Sequence, residues 1–420
     1  MGQYPSVLSE NQHRLPAVGL GFHLLCVGAS AGALLWSLSA RAQPFGDGPD
    51  AGVGNDVVSA PAPTFVAAPV SPPPTVDVIS AQVGVRSLVV VQATNAPNKL
   101  NDVGAVGEAD VVLSGQVHRF LRWQAGFAGV IGDTQQTSAT LLDLVAKLEF
   151  ADFFNLWLGR MPIPSDRTSL STVWAIAPAT LPGHYQSFSA IAPPGARPAA
   201  GPRQGDLDRG DGALLWGQIR GGRLKYYLGA FGLDQVENQP LYSARLALSL
   251  LSPEPGFRNS SSYYGGKDVL TVGVGAQHQS NGSLPPIGMP TPPPAAAFNE
   301  VNVDVLFEVG GETAGVLDLE GAFARMWGAN EDAKYQCFGL ASYLVPLEVG
   351  FGRFQPLMRV QRATPGAGGI SADFTSLDTQ LGYVVDGHHA RLSAGWQYTR
   401  SHGQPANAVL LGIQLLSRTK

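Results

Sequence analysis

Hydrophobic and polar residues alternate along most of this chain, one for one. In "TLLDLVAKLEF" (Thr140 to Phe150) the apolar set Leu142, Leu144, Ala146, Leu148 and Phe150 opposes Asp143, Lys147 and Glu149. "VNVDVLFEV" sets Val301, Val303, Val305, Phe307 and Val309 against Asn302, Asp304 and Glu308. "SARLALSLL" does the same with Ala244, Leu246, Leu248 and Leu250 against Ser243, Arg245 and Ser249. Period-two alternation puts successive side chains on opposite faces of an extended strand. Each such strand has one greasy face and one polar face.

The pattern predicts sixteen strands, starting near 82, 105, 121, 139, 153, 211, 223, 241, 267, 299, 314, 335, 352, 374, 388 and 406, with fourteen as the fallback count. Short links (Ala151-Asp152, Gly221-Gly222, Gly310 to Thr313, Asp386-Gly387) alternate with longer Pro- and Ser-rich ones. Long loops at one end, short turns at the other, an even strand count and both termini on the short side describe an all-β, antiparallel transmembrane barrel. Closing such a sheet puts the polar faces around water and the apolar faces in lipid. A soluble sandwich or propeller would instead bury its apolar faces against each other. One link departs from the rule: "SPEPGFRNSSSYYGG", Ser252 to Gly266, is long on the short side, which implies either a register slip or an excursion there. Phe153, Phe154, Trp157, Trp216, Tyr226, Tyr227, Trp327, Trp396 and Tyr398 lie where aromatic girdles at the membrane surfaces would be.

Composition supports a membrane home without helices. Charged residues are 14% of 420, against roughly 25% in a soluble globular chain. Beyond the N-terminus no apolar run approaches the roughly 20 residues that a membrane helix needs. Residues 1–42 read as an export signal: His13 and Arg14 precede an apolar stretch from Leu15 to Leu38, and Ala40-Arg41-Ala42 forms a small-x-small cleavage pattern. Residues 43–80, rich in Pro and Ala, read as a periplasmic linker, and 81–420 as the barrel. Cleavage after Ala42 removes Arg14, Arg41 and Glu10, so the mature charge is (27 − 2) − (32 − 1) = −6. With no basic block, nucleic acid is excluded as a partner. Cleavage also removes Cys26, and Cys337 is left as a lone thiol on a strand face.

The link from Pro162 to Gly210 is the third on the long side and the longest. Loops of this length are uncommon unless functional or disordered, and a sixteen-stranded barrel has a lumen wide enough to take one in. It is read as a constriction element, with Arg167, His184, Arg197, Arg203 and Arg209 facing Asp166, Asp206 and Asp208. On the strands, Lys147, Lys225, Arg245, Arg359 and Arg391 have lumen parity, together with Glu149, Asp304, Glu308, Asp318 and Glu320. Charges lining a narrow aqueous path set which solutes enter.

The sequence carries no HExxH, GxSxG, Walker or paired-Cys zinc pattern, so neither an enzyme nor a cofactor is expected. His388 and His389, adjacent in "LGYVVDGHHARLSAGWQY", would point to opposite faces of a strand and cannot share one ion. Ala390, Leu392, Ala394, Trp396 and Tyr398 should face lipid; Arg391, Ser393, Gln397 and Thr399 should face water.

That stretch, with "LEFADFFNLWLGRMPIP" (148–164), "RGDGALLWGQIRGGRLKYYLGAFG" (209–232) and "GRFQPLMRVQ" (352–361), resembles the phosphate-selective porin O and P family. The resemblance implies a sixteen-stranded, trimeric diffusion channel of the outer membrane, with lipid and small hydrophilic solutes or ions as partners. Two departures stand against it. The lumen charges are of mixed sign, where anion-selective members are basic, and the chain ends "LLGIQLLSRTK" where such barrels commonly end on an aromatic residue. The expected function is passive diffusion; the alternative is a non-channel outer-membrane barrel, either a surface hydrolase or a structural or adhesive protein.

Overall fold

The structure, a computed structural model, describes residues 80–417 except 95–101, 132–136, 180–208, 233–238, 284–295, 329–332, 366–372 and 402. The proposed signal and nearly all of the linker lie outside the described residues. Sixteen long strands form the wall: β1 (Ser80–Thr94), β2 (Asp102–His118), β3 (Leu121–Ile131), β4 (Thr137–Ala151), β5 (Phe154–Pro162), β6 (Arg209–Ile219), β7 (Leu224–Gly232), β8 (Leu241–Ser249), β9 (Val269–Ser283), β10 (Ala296–Gly311), β11 (Gly315–Trp327), β12 (Ala333–Leu344), β13 (Gly352–Pro365), β14 (Phe374–Asp386), β15 (Ala390–Ser401) and β16 (Gln404–Leu416). A two-residue piece, Glu348–Val349, pairs with the start of β13. Each strand pairs antiparallel with its chain neighbours, and β1 pairs with both β2 and β16, so the sheet closes on itself. Closure leaves no unpaired edge, which is what lets a β-sheet sit in hydrocarbon. The shortest strands have nine residues, enough to cross a bilayer when tilted.

Every strand begins within three residues of the start read from the alternation. The two faces are inverted relative to a soluble protein. Leu246, Val301, Leu392 and Leu415 are 45–53% exposed on the outer wall, while their neighbours Arg245, Asn302, Arg391 and Gln414 are at most 6% exposed inside. Apolar outside and polar inside is the arrangement that lipid demands.

Three expectations need correction. Leu142 does not share the outer face with Leu144. Gly126 pairs with Asp143 and Phe127 with Leu141, leaving Leu142 as a bulge residue that is buried. Trp157, Trp216 and Tyr227 are not girdle residues but face the interior and are almost wholly buried, because they share strand parity with Asn155, Gln218 and Lys225 respectively. Phe153, Phe154, Trp327 and Trp396 are exposed, as a girdle requires. The turn after β14 is not the two-residue Asp-Gly type: Asp386 ends the strand and pairs with Ala390, and Gly387, His388 and His389 form the turn. Gly387, with φ at 49°, supplies the left-handed step. Beyond that turn β15 follows its predicted alternation, with Leu392, Ala394 and Trp396 exposed and Arg391 and Gln397 buried.

Candidate functional site

Two segments run inside the barrel, one from each end. The first follows β5 and carries a one-turn helix, α1 (Arg167–Leu170), and a 3-10 turn at Val173–Ala175. Asp166 caps α1: its Oδ1 accepts from the Ser169 backbone N–H at 2.8 Å, and the Ser169 hydroxyl accepts from the Asp166 N–H at 3.1 Å. This reciprocal box satisfies donors that a short helix would otherwise leave orphaned.

From α1 the chain crosses the bore. At β10, Ser165 Oγ donates to Glu300 at 2.9 Å and the Arg167 N–H donates to Asp304 at 3.2 Å. At the far wall, Trp174 Nε1 donates to Asp110 on β2 at 2.6 Å. Gln414 on β16 donates to the Trp174 carbonyl at 3.0 Å, and the Ala179 N–H donates to Gln380 on β14 at 2.9 Å. Arg391 on β15 donates to the carbonyls of Ile176, Ala177 and Pro178. The wall is cut away where the segment presses on it. A Cβ at Gly275 would lie 2.2 Å from the Ser165 carbonyl oxygen, and one at Gly84 2.8 Å from the Trp174 ring. Only glycine allows so close an approach.

The second segment is the anomalous link between β8 and β9. No register slip accompanies it: β8 and β9 pair without a break from Tyr242↔His278 to Ser249↔Thr271. The link is an excursion, and it folds into the lumen. Tyr227 donates its hydroxyl to the Phe257 carbonyl at 2.8 Å, and Lys225 donates to Asn259 Oδ1 at 2.6 Å. Ser261 Oγ meets Glu320 at 2.5 Å, and the N–H groups of Tyr263 and Gly265 meet the two oxygens of Glu308 at 2.6 and 2.8 Å. His388 Nε2 lies 2.9 Å from Ser260 Oγ and 2.8 Å from the Ser262 carbonyl, while His389 faces the Leu416 carbonyl at 3.1 Å. The histidine pair is therefore divided between two tasks.

The two segments meet at Arg167 and Glu254. Their guanidinium and carboxylate pair in a two-pronged contact at 2.9 and 2.5 Å, both side chains about 1% exposed. Arg167 also donates to the Ser260 carbonyl, and the Tyr263 hydroxyl donates to Glu254. The backbones join too: the Asn259 N–H donates to the Leu170 carbonyl at 3.3 Å and the Ser261 N–H to the Ala175 carbonyl at 2.8 Å. Burial acts to raise Glu254, but the Arg167 charge outweighs it and holds the carboxyl far below the usual range. Asp166 goes the other way. Burial, then the Asp304 carboxylate, push it well above the usual range, and its second oxygen has no hydrogen-bond partner among the described residues. Burial and the nearby Arg391 charge hold the His388 imidazole down at about 4, so it is neutral at physiological pH.

The strand charges assigned to the lumen by parity lie inside, but most are engaged. Arg245 forms a two-pronged pair with Asp304 at 2.5 and 3.0 Å, and Arg359 pairs with Asp378 at 2.8 Å. Arg391 holds the first segment, and Lys225, Glu308 and Glu320 hold the second. Asp318 Oδ2 accepts from Ser342 at 3.4 Å. Glu149 meets Arg122 at 3.2 Å. Lys147 donates to Gln124 at 2.7 Å and lies over the Trp157 ring. Arg209 contacts Asp143 at 2.8 Å, and Arg258 reaches the same carboxylate at 3.0 Å. Five acidic side chains, Glu300, Asp304, Glu308, Asp318 and Glu320, crowd β10 and β11, where Asp304 meets Arg245 of β8 across the intervening strand. His184, Arg197, Arg203, Asp206 and Asp208 lie outside the described residues. Glu254, Phe257, Arg258 and the interior aromatics escaped the sequence reading, although parity with Lys225 was signal enough for Tyr227.

Among the described residues no helix is long and apolar enough to span a membrane, and no cluster of three or more His, Cys, Asp or Glu could hold a metal. No protein-family model matches the chain, and no curated protein matches it in sequence. Solved structures do match. OmpT, an outer membrane protein of Vibrio cholerae in a trimer form, aligns at 12% identity and TM-score 0.51, over 81% of this chain and 100% of that one. The loop L8 deletion mutant of the same protein aligns at 12% identity and TM-score 0.50, with the same coverage. Salmonella typhi OmpF, solved with daunomycin, aligns at 12% identity and TM-score 0.50, over 80% of this chain and 97% of that one. At this identity the shared property is the fold: a closed sixteen-stranded antiparallel barrel of the porin type.

Proposed function

We propose that the chain is a passive diffusion channel of the outer membrane of a Gram-negative bacterium, carrying small hydrophilic solutes or ions and working without catalysis. One observation supports this most strongly: the wall is apolar outward and densely charged inward. A barrel that serves only as a surface scaffold has no need of an interior lined by Arg, Lys, Asp and Glu, which are expensive to enclose without water or partners. The two segments that meet at Arg167 and Glu254 narrow the polar interior, and charges lining the path that is left can sort solutes. The mixed signs of the interior, with five carboxylates on β10 and β11, argue against simple phosphate selectivity, although the four stretches that resemble the O and P family favour that kinship. The same resemblance favours a homotrimer.

Recording from the refolded protein in planar bilayers tests the reading. Discrete conductance steps are expected, and their absence from a preparation that shows a heat-modifiable band on gels would sink it. Glucose-dependent swelling of loaded liposomes separates a channel from an adhesive or scaffold barrel.

A further inference from the structure

The tip of the second segment fits into a cage. Phe257 is packed by three interior aromatics: its ring centroid lies 4.3 Å from that of Trp157, 5.4 Å from Trp216 and 5.5 Å from Tyr227, the last two edge-on. Trp157 and Trp216 themselves meet edge to face at 5.5 Å. Edge-to-face and offset contacts of this kind are the ones aromatic rings prefer, so the space that Phe257 fills suits a flat ring. What sets this one apart from an ordinary core is its polar side. Trp157 and Trp216 are 5% and 6% exposed, and neither indole N–H has a hydrogen-bond partner among the described residues. Buried indoles usually find one. Two unsatisfied donors therefore lie in one aromatic cluster.

Cations gather beside it. Lys147 Nζ sits 4.2 Å from the Trp157 ring centroid, and its hydrogen-bond partner is the neutral amide of Gln124. Arg258, next in sequence to Phe257, shares Asp143 with Arg209, and its Nη1 has no partner among the described residues. Lys147 and Arg258 border the cage; Asp143 is shared between Arg258 and Arg209, and Glu149, the next carboxylate, meets Arg122. The chemistry lacking is an acceptor with negative charge, attached to a ring.

We propose that this cage is a solute site for an aromatic carboxylate, kept filled by the chain's own Phe257. The incoming ring takes the place of the phenyl group between Trp157, Trp216 and Tyr227, and its carboxylate accepts from the indole N–H groups, Lys147 and Arg258. Because Phe257 and Glu254 belong to the same short link, a solute that displaces the ring also loosens the Arg167–Glu254 clasp. The inference rests on the channel reading and names its solute class.

Benzoate is the probe. The full refolded barrel is titrated in detergent while indole fluorescence is followed, with cyclohexanecarboxylate and benzyl alcohol as companions. A saturable change with benzoate is expected, at least tenfold weaker with either companion. Trp216→Leu and Lys147→Gln should each weaken benzoate tenfold or more. Phe257→Ala, which empties the cage, should tighten it tenfold or more, an outcome that a purely structural cage would not produce. If Phe257→Ala fails to give the heat-modifiable band, the comparison of wild type with Trp216→Leu decides alone. No saturable response in wild type or in Phe257→Ala overturns the proposal, as does an equal response to cyclohexanecarboxylate or to benzyl alcohol. Glucose swelling of liposomes, measured on the same protein, reports separately on whether it is a channel at all.

Discussion

The two segments inside the barrel are held by different chemistry. The one after β5 is held mainly through its backbone: Arg391 and Gln414 reach its carbonyls, Gln380 and Asp304 its N–H groups, and glycines at 84 and 275 make room for it. The one between β8 and β9 is held through its backbone by Tyr227, Glu308 and His388, and also by its own side chains: Phe257, Arg258 and Ser261 reach the wall and Glu254 reaches Arg167. Backbone anchoring tolerates substitution of the segment but not of the wall beneath it. Side-chain anchoring does the reverse. The difference teaches that the first segment acts as part of the barrel's frame, and the second as an insert that adds side-chain anchors of its own.

The largest effect should come from Arg167→Ala, which strikes both. It leaves Glu254 buried without its partner, and losing one member of a buried pair costs roughly 3–5 kcal/mol. Proteolysis within both 163–179 and 250–268, together with a larger single-channel current, is the expected result. Protection of both stretches would show that the clasp does not join them. Tyr263→Phe removes one hydrogen bond to the charged Glu254, worth about 1.5–3 kcal/mol. Hydrogen exchange should quicken in 250–268 alone. Gly275→Ala drives a methyl into the Ser165 carbonyl, an overpacking of about 1–3 kcal/mol. It should disturb 163–179 and the current while leaving exchange in 250–268 at its wild-type rate; equal disturbance of both would remove the distinction between frame and insert.

Acid gives the smallest effect and the most selective. His388 has a folded value of about 4 against 6.5 in a free chain, so the docked state resists the proton that the undocked state accepts. The contribution of His388 to docking is complete above 6.5, is lost progressively as pH falls toward 4, and is flat below. Glu254, depressed in the fold, adds a loss of the same sign below its ordinary 4.5. Asp166, raised in the fold, works oppositely: it favours the folded state at low pH, an advantage lost as pH rises above its ordinary 3.8. Acid should therefore loosen the insert and spare the frame. Hydrogen exchange at pH 7 and pH 4.5 measures this, and His388→Gln should abolish most of the difference between those two pH values.

Most of the wall was legible because a strand's parity is local: Val301 and Asn302 declare their faces by being neighbours. The failures are places where parity is broken or was not applied. A one-residue bulge at Leu142 cannot be seen in an alternating string, since it depends on how β3 pairs with β4. Residue type alone puts Trp157, Trp216 and Tyr227 in a girdle, as aromatics at strand ends, whereas the position of Lys225 two residues before Tyr227 puts that ring inside. Length, charge and a wide lumen point to a constriction in the link after β5, but no such signal marks its partner. Nothing in "SPEPGFRNSSSYYGG" says that Glu254 will find Arg167, because that meeting depends on two loops sharing one enclosed space.

The insert leaves the wall at Ser249 and rejoins it at Val269, on the same rim of the barrel, between the turns at 220–223 and 312–314. A thread that enters and leaves a tube by one mouth can be drawn out without cutting the tube or passing through its far opening. Undocking of 250–268 therefore requires no strand to part and no polar chain to cross lipid. Release of the link would leave the pairing of β8 with β9 intact.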